Sequence, residues 1–129
     1  MNDGWHLFDY AVVRCVPLVH TGAFVNIGVV LLARQSGYLR AAFHISAQRL
    51  GALQPGFDVA LLQRFAEGYQ RVCDGGAAGG MVGLLPASER FHWLTAPRSA
   101  VIQTSPVHPG RCRNLDEALQ RLCHEQCGD

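Results

Sequence analysis

The chain has 129 residues, 49% hydrophobic and 16% charged, which fits one globular domain over residues 1–129 and excludes a largely disordered protein. A formal charge of +1 gives no net field to draw it onto nucleic acid or an anionic membrane. All eleven basic residues are arginine, so a Schiff-base lysine, a phosphate-loop lysine and a lysine general base are excluded.

In chain order, Met1 to His6 show no basic stretch leading into an apolar core and a cleavage site, so a cytoplasmic location is expected. Phe8 to Val19 alternates with a period of two and is apolar on both faces, which predicts a central strand. His20 to Ala23 supplies turn residues, and Phe24 to Ala33 resumes a β-rich run, giving a hairpin. The apolar run from Ile27 to Ala33 is far too short to cross a bilayer. Tyr38 to Ile45, after Gly37, completes an antiparallel meander. Ser46 caps a short helix through about Leu53, which Pro55-Gly56 ends.

Phe57 to Cys73 has a helical apolar stripe, and the glycine-rich stretch 74–83 is expected as a flexible loop. Arg90 to Leu94 and Ala100 to Thr104 are predicted as two short strands joined by a turn, with proline-rich Ser105 to Gly110 as a loop after them. Asn114 then caps a last helix carrying Leu115, Ala118, Leu119, Leu122 and Cys123 on one stripe. The sum is an α+β fold, β-β-β-α-α-β-β-α, an antiparallel sheet of about five strands with helices packed on it.

The segment from Phe91 to Gly110 gathers Arg98, Ser99, Gln103, Ser105 and His108 in two loops that a hairpin brings near one another. Arginine offers a planar fork of donors to phosphate or carboxylate, and serine hydroxyls with turn amides complete an anion cradle. Arg98 and Gln103 serve equally well as hydrogen-bonding groups at exposed strand ends. Ser99 or Ser105 with His108 as base would make a nucleophile, but no glycine-flanked elbow surrounds either serine. Arg14, set among Val12, Val13, Cys15 and Val16, needs a partner: Asp9, Asn26 or a ligand anion. Asn26 and Gly28 lie in the facing strand, where asparagine lowers strand propensity and glycine permits close approach or a bulge. Five cysteines without regular spacing read as reduced thiols. Cys112, Cys123 and Cys127 with His108 or His124 are a conceivable zinc set, but no Cys-x-x-Cys pair occurs and the helix cysteines also fit an apolar seam, so no metal is assigned. Neither a dinucleotide fingerprint nor a phosphate loop is present, and no cofactor is expected.

Three stretches, Phe8 to Pro17, Phe24 to Leu31 and above all Arg90 to Gly110, resemble the bacterial domain-of-unknown-function 3037 family over nearly the whole chain. The resemblance implies that Tyr10, Arg14, Asn26, Gly28, Arg98, Ser99, Gln103 and His108 occupy the family's polar and glycine positions. Pro109-Gly110 stands where the family usually has threonine-glycine, and Leu115-Asp116 where an aspartate-proline pair is usual. The resemblance carries no activity, but it implies a setting beside HipA-like kinase proteins.

The expectation is a small accessory or binding domain, with a HipA-like kinase as partner and Arg14, Asn26, Arg98, Ser99, Gln103 and His108 as its polar site. One alternative is a small enzyme on a phosphate-containing or nucleic-acid substrate, with His108 as its acid or base. Another is a purely structural subunit whose sheet edge pairs with a partner or a second copy.

Overall fold

The alternating apolar residues of the first third build an antiparallel meander: β1 (His6–Cys15), β2 (Val25–Ala33) and β3 (Tyr38–Phe43). The computed structural model describes residues 4–98 and 100–128. α1 (Ala47–Leu53) follows, capped as expected by the Ser46 hydroxyl, which accepts from the Arg49 amide. α2 (Val59–Asp74) is capped by the Asp58 carboxylate at the Leu61 amide. A short α3 (Gly80–Gly83), α4 (Ala87–Thr95), β4 (Ile102–Thr104), β5 (His108–Cys112) and α5 (Leu115–Cys127) complete the chain. The class is α+β with a five-stranded antiparallel sheet, as expected.

One of the five strands lies elsewhere than the sequence suggested, while β4 falls within the expected Ala100 to Thr104. Arg90 to Leu94 belongs to α4, where Phe91 and Leu94, three residues apart, are both buried and Glu89 sits in the first turn. The proline-rich stretch instead supplies β5, which runs antiparallel to β1 from His6↔Cys112 to Tyr10↔His108. Proline is tolerated there because no described strand lies beyond β5, so the sheet needs no donor from Pro109 on that side. Gly110 leaves room for the Phe8 ring, which occupies the space a Cβ would take.

β1 is central, as its two apolar faces required. Along one side runs β2; along the other, β4 covers Val13 to Cys15 and β5 covers His6 to Tyr10. Ser105 joins the two halves of that edge. Its amide donates to the Val12 carbonyl at 2.8 Å, and its hydroxyl takes the carbonyl's place by accepting the Val12 N–H at 2.9 Å. The hydroxyl then donates to the Pro106 carbonyl at 2.9 Å. Ser105 thus bridges a step where the prolyl nitrogen has no hydrogen to offer.

The sheet separates two cores. On one side Ala11, Val13, Cys15, Ile27, Val30 and Leu32 pack against Leu62, Tyr69, Val72, Phe91 and Leu94 of α2 and α4. On the other, Phe8, Val29, Leu31 and Ala42 pack against Ala118, Leu119, Leu122 and Cys123 of α5. A register shift in β2 opposite Val13/Arg14 places Gly28 under the Phe43 ring, where an added Cβ would lie 2.6 Å from Phe43 Cδ1 and 2.7 Å from the Ala42 carbonyl oxygen. That shift breaks the alternation along β2, so that Ile27 joins Val30 and Leu32 in the core on the α2 side and Asn26 is turned toward α5.

The glycine-rich stretch is folded into helical turns over Ala77–Gly79 and α3, drawn together by a 2.7 Å bond from the Gly76 amide to the Gly83 carbonyl. Three arginines then satisfy helix carbonyls at C-terminal ends, where intrahelical partners run out. Arg90 donates to the Val72 and Cys73 carbonyls of α2 and to that of Leu85. Arg98 donates to Trp93 in α4, and Arg49 to the Cys127 and Gly128 carbonyls at the end of α5.

Candidate functional site

Successive β1 side chains alternate between the two cores, and Arg14 falls on the α5 side with Phe8. Its cross-strand neighbours are Asn26 in β2 and Gln103 in β4. Three polar residues singled out in the sequence therefore form one row across the sheet, held by backbone register. Such directly opposed side chains lie about 5 Å apart at Cβ.

Phe24, half-exposed just before β2, carries the Arg14 guanidinium on its ring at 4.2 Å from the centroid. Arg14 Nε is buried without a hydrogen-bond partner. Asn26 donates from Nδ2 to the Gln126 carbonyl of α5 at 2.9 Å, while its Oδ1 is buried and unpartnered. A donor and an acceptor, both desolvated, thus stand on neighbouring strands. A buried polar atom without a partner costs about 1–3 kcal/mol, so this pair calls for a ligand group or an ordered water. Beside it opens a cleft of about 380 Å³ lined by Phe24, Val25, Asn26, Arg49, Ala52 and Leu53. Gln103, on the other flank, folds its amide back onto the Ala100 carbonyl at 2.9 Å.

The remaining candidates lie apart from this row. His108 is opposite Tyr10, on the same face of β1 but four residues, or about 13 Å, along the strand from Arg14. Its ring rests against Tyr10 at 5.5 Å between centroids. Arg98 is on the other side of the sheet, stacked on Trp93 at 4.7 Å and lining a 200 Å³ cavity with Phe65, Tyr69 and Leu94. The hairpin that was to gather Arg98, Gln103 and His108 does not form, because α4 replaces its first strand and β4 pairs with β1 instead. Ser99 lies outside the described residues. Asp9, proposed as a partner of Arg14, instead faces Arg34 Nε at 4.0 Å.

Burial pushes the Cys15 thiol up to about 11 and the Cys73 thiol up to about 12, so neither is a thiolate near neutrality. Cys127 is raised by its hydrogen bond with Cys123, and Cys112 is raised by burial. Among the described residues no three of His, Cys, Asp and Glu are grouped to hold a metal ion. Phe24 and Arg49 were not anticipated. An aromatic residue two positions before Asn26 was the only local hint of the first, and the partners of Arg49 are 78 and 79 residues away in sequence.

The family model for "Protein of unknown function (DUF3037)" matches residues 10–127. The chain belongs to this family. The match takes in β1 from Tyr10 onward and all of α5, so Arg14, Asn26, Gln103 and the Asn26 contact on Gln126 all fall inside it. Comparisons with curated proteins and with solved structures give no match. Among the described residues no helix is long and apolar enough to cross a membrane.

Proposed function

We propose that this family member is an accessory binding domain, with the row Arg14, Asn26 and Gln103 at the centre of its contact site. The observation that carries this reading is the pair of desolvated, unpartnered atoms, Arg14 Nε and Asn26 Oδ1, next to an open cleft that Asn26 lines together with Phe24, the ring on which Arg14 rests. Such a pair has stability to gain from an incoming polar group. The resemblance to neighbours of HipA-like kinases makes such a kinase the partner to test. His108 and Arg98 belong to other parts of the surface in this reading and contribute at most at its margins.

The alternative of an enzyme with His108 as acid or base draws less support. The Ser105 hydroxyl both accepts and donates a main-chain bond, and the His108 ring packs on Tyr10. Binding of the full chain to a HipA-like kinase from the same genome, measured by calorimetry, tests the proposal. Arg14→Gln, with folding confirmed by its amide spectrum, is expected to weaken binding by at least about tenfold, the worth of one charge-assisted hydrogen bond. Unchanged binding removes the site, and absence of any complex removes the kinase as partner.

A further inference from the structure

We infer that the Arg14–Asn26 site takes an α-carboxylate whose Cα also bears an N–H, beside an apolar side chain: the C-terminal end of a polypeptide, or a free α-amino acid. This rests on the reading of that row as a binding site and adds the chemistry of its ligand.

The two orphaned atoms define opposite demands. Asn26 Nδ2 is committed to the Gln126 carbonyl, which fixes the amide's orientation and leaves Oδ1 able only to accept. Arg14 Nε can only donate, and with its neighbouring Nη it presents the paired donors that match a carboxylate side-on. A ligand that answers both brings a planar anion to Arg14 and a donor to Asn26 within the width of one strand pair. The terminal residue of a peptide has that arrangement, its N–H and carboxylate separated by one carbon.

Polarity across the site points the same way. The carbonyl end of α5 lies on the Asn26 side, where its partial negative charge favours an N–H donor and opposes a second negative charge. Arg49 is engaged there with the Cys127 and Gly128 carbonyls. A dianionic phosphate group is therefore a poorer fit than a monoanion with an adjacent donor. Phe24, Ala52 and Leu53 give the 380 Å³ cleft an apolar wall for the ligand's side chain.

The test is titration of the ¹⁵N-labelled full chain with N-acetyl-L-leucine, L-leucine, N-acetyl-L-leucinamide and inorganic phosphate, following the Arg14 Nε–H and Asn26 side-chain resonances. Either acid is expected to shift both signals saturably. The leucinamide, its carboxylate masked, is expected to bind at least about tenfold more weakly, and so is phosphate. Arg14→Lys keeps the charge and removes the paired donors, and should weaken the acids by a similar factor. Tighter binding of the acetylated acid assigns a polypeptide terminus; tighter binding of L-leucine assigns a free amino acid. The inference is overturned if neither acid moves these signals, or if leucinamide or phosphate moves them equally well. Loss of kinase binding in Arg14→Gln without any acid binding would sink this inference alone, whereas acid binding by the parent chain with kinase binding intact in that variant would sink only the assignment of this row as the kinase's contact site.

Discussion

Ser105 shows how one hydroxyl settles the path of an edge. It is buried, it sits between β4 and β5, and its Oγ receives the Val12 N–H that a carbonyl would otherwise accept. Ser105→Ala leaves that amide in the centre of β1 without its acceptor and the Pro106 carbonyl without its donor. The expected loss of stability is about 1–3 kcal/mol, seen as a lower urea midpoint at unchanged slope. A midpoint equal to that of the parent chain would show that water takes over both bonds. Arg14 and Asn26 are the opposite case, since Arg14 Nε and Asn26 Oδ1 are buried and left open.

Among the elements, the arginine-only basic set finds much of its use at helix ends. Arg90 is the most heavily engaged, with bonds to the carbonyls of Val72, Cys73 and Leu85, so it ties α4 to the end of α2 and to the chain entering α4. Arg90→Met, which keeps most of the aliphatic stem, is expected to cost about 2–3 kcal/mol in chemical denaturation, and Arg90→Lys to recover only part of that. Full recovery by lysine would mean that charge near the helix end, rather than the fork of donors, carries the effect.

These elements also show what sequence can disclose. The three-strand meander and the caps at Ser46 and Asn114 were legible because each rests on alternation or on contacts three residues apart. Over Arg90 to Leu94 the two periods compete in five residues, and only packing of Phe91 and Leu94 against α2 decides for a helix. β5 was hidden because Pro109 and Gly110 read as strand breakers until β1 supplies an edge and Phe8 a ring to cover the glycine. At the site, Arg14 and Asn26 were each conspicuous as polar residues in apolar strands. That Gln103 completes their row follows from a pairing 89 positions distant, which no local pattern encodes.

For the whole molecule, burial of thiols links stability to alkaline pH. Cys15 and Cys73 both hold their protons more tightly folded than at the ordinary value of 9.0, reaching about 11 and about 12. The sign follows from linkage: the unfolded chain loses those protons first, so the stabilisation is complete below pH 9 and declines as pH rises through 11 and 12. Thermal melts between pH 8 and about 12 should therefore show a falling midpoint, with Cys15→Ala and Cys73→Ala flattening the slope. A slope unchanged in both variants would assign alkaline sensitivity to other groups.

The divided outer edge of β1 has a consequence for the order in which the fold is made. The partners on that side are Ile102–Thr104 and His108–Cys112, so during synthesis the middle strand stays uncovered there while some 90 further residues are added. The meander and the α2 side can already associate, but the nascent sheet offers a bare row of amides and carbonyls until its last quarter leaves the ribosome. Completion of this fold is therefore a late, long-range event, and the interval before it is when the chain is most open to pairing with a neighbour of its own kind.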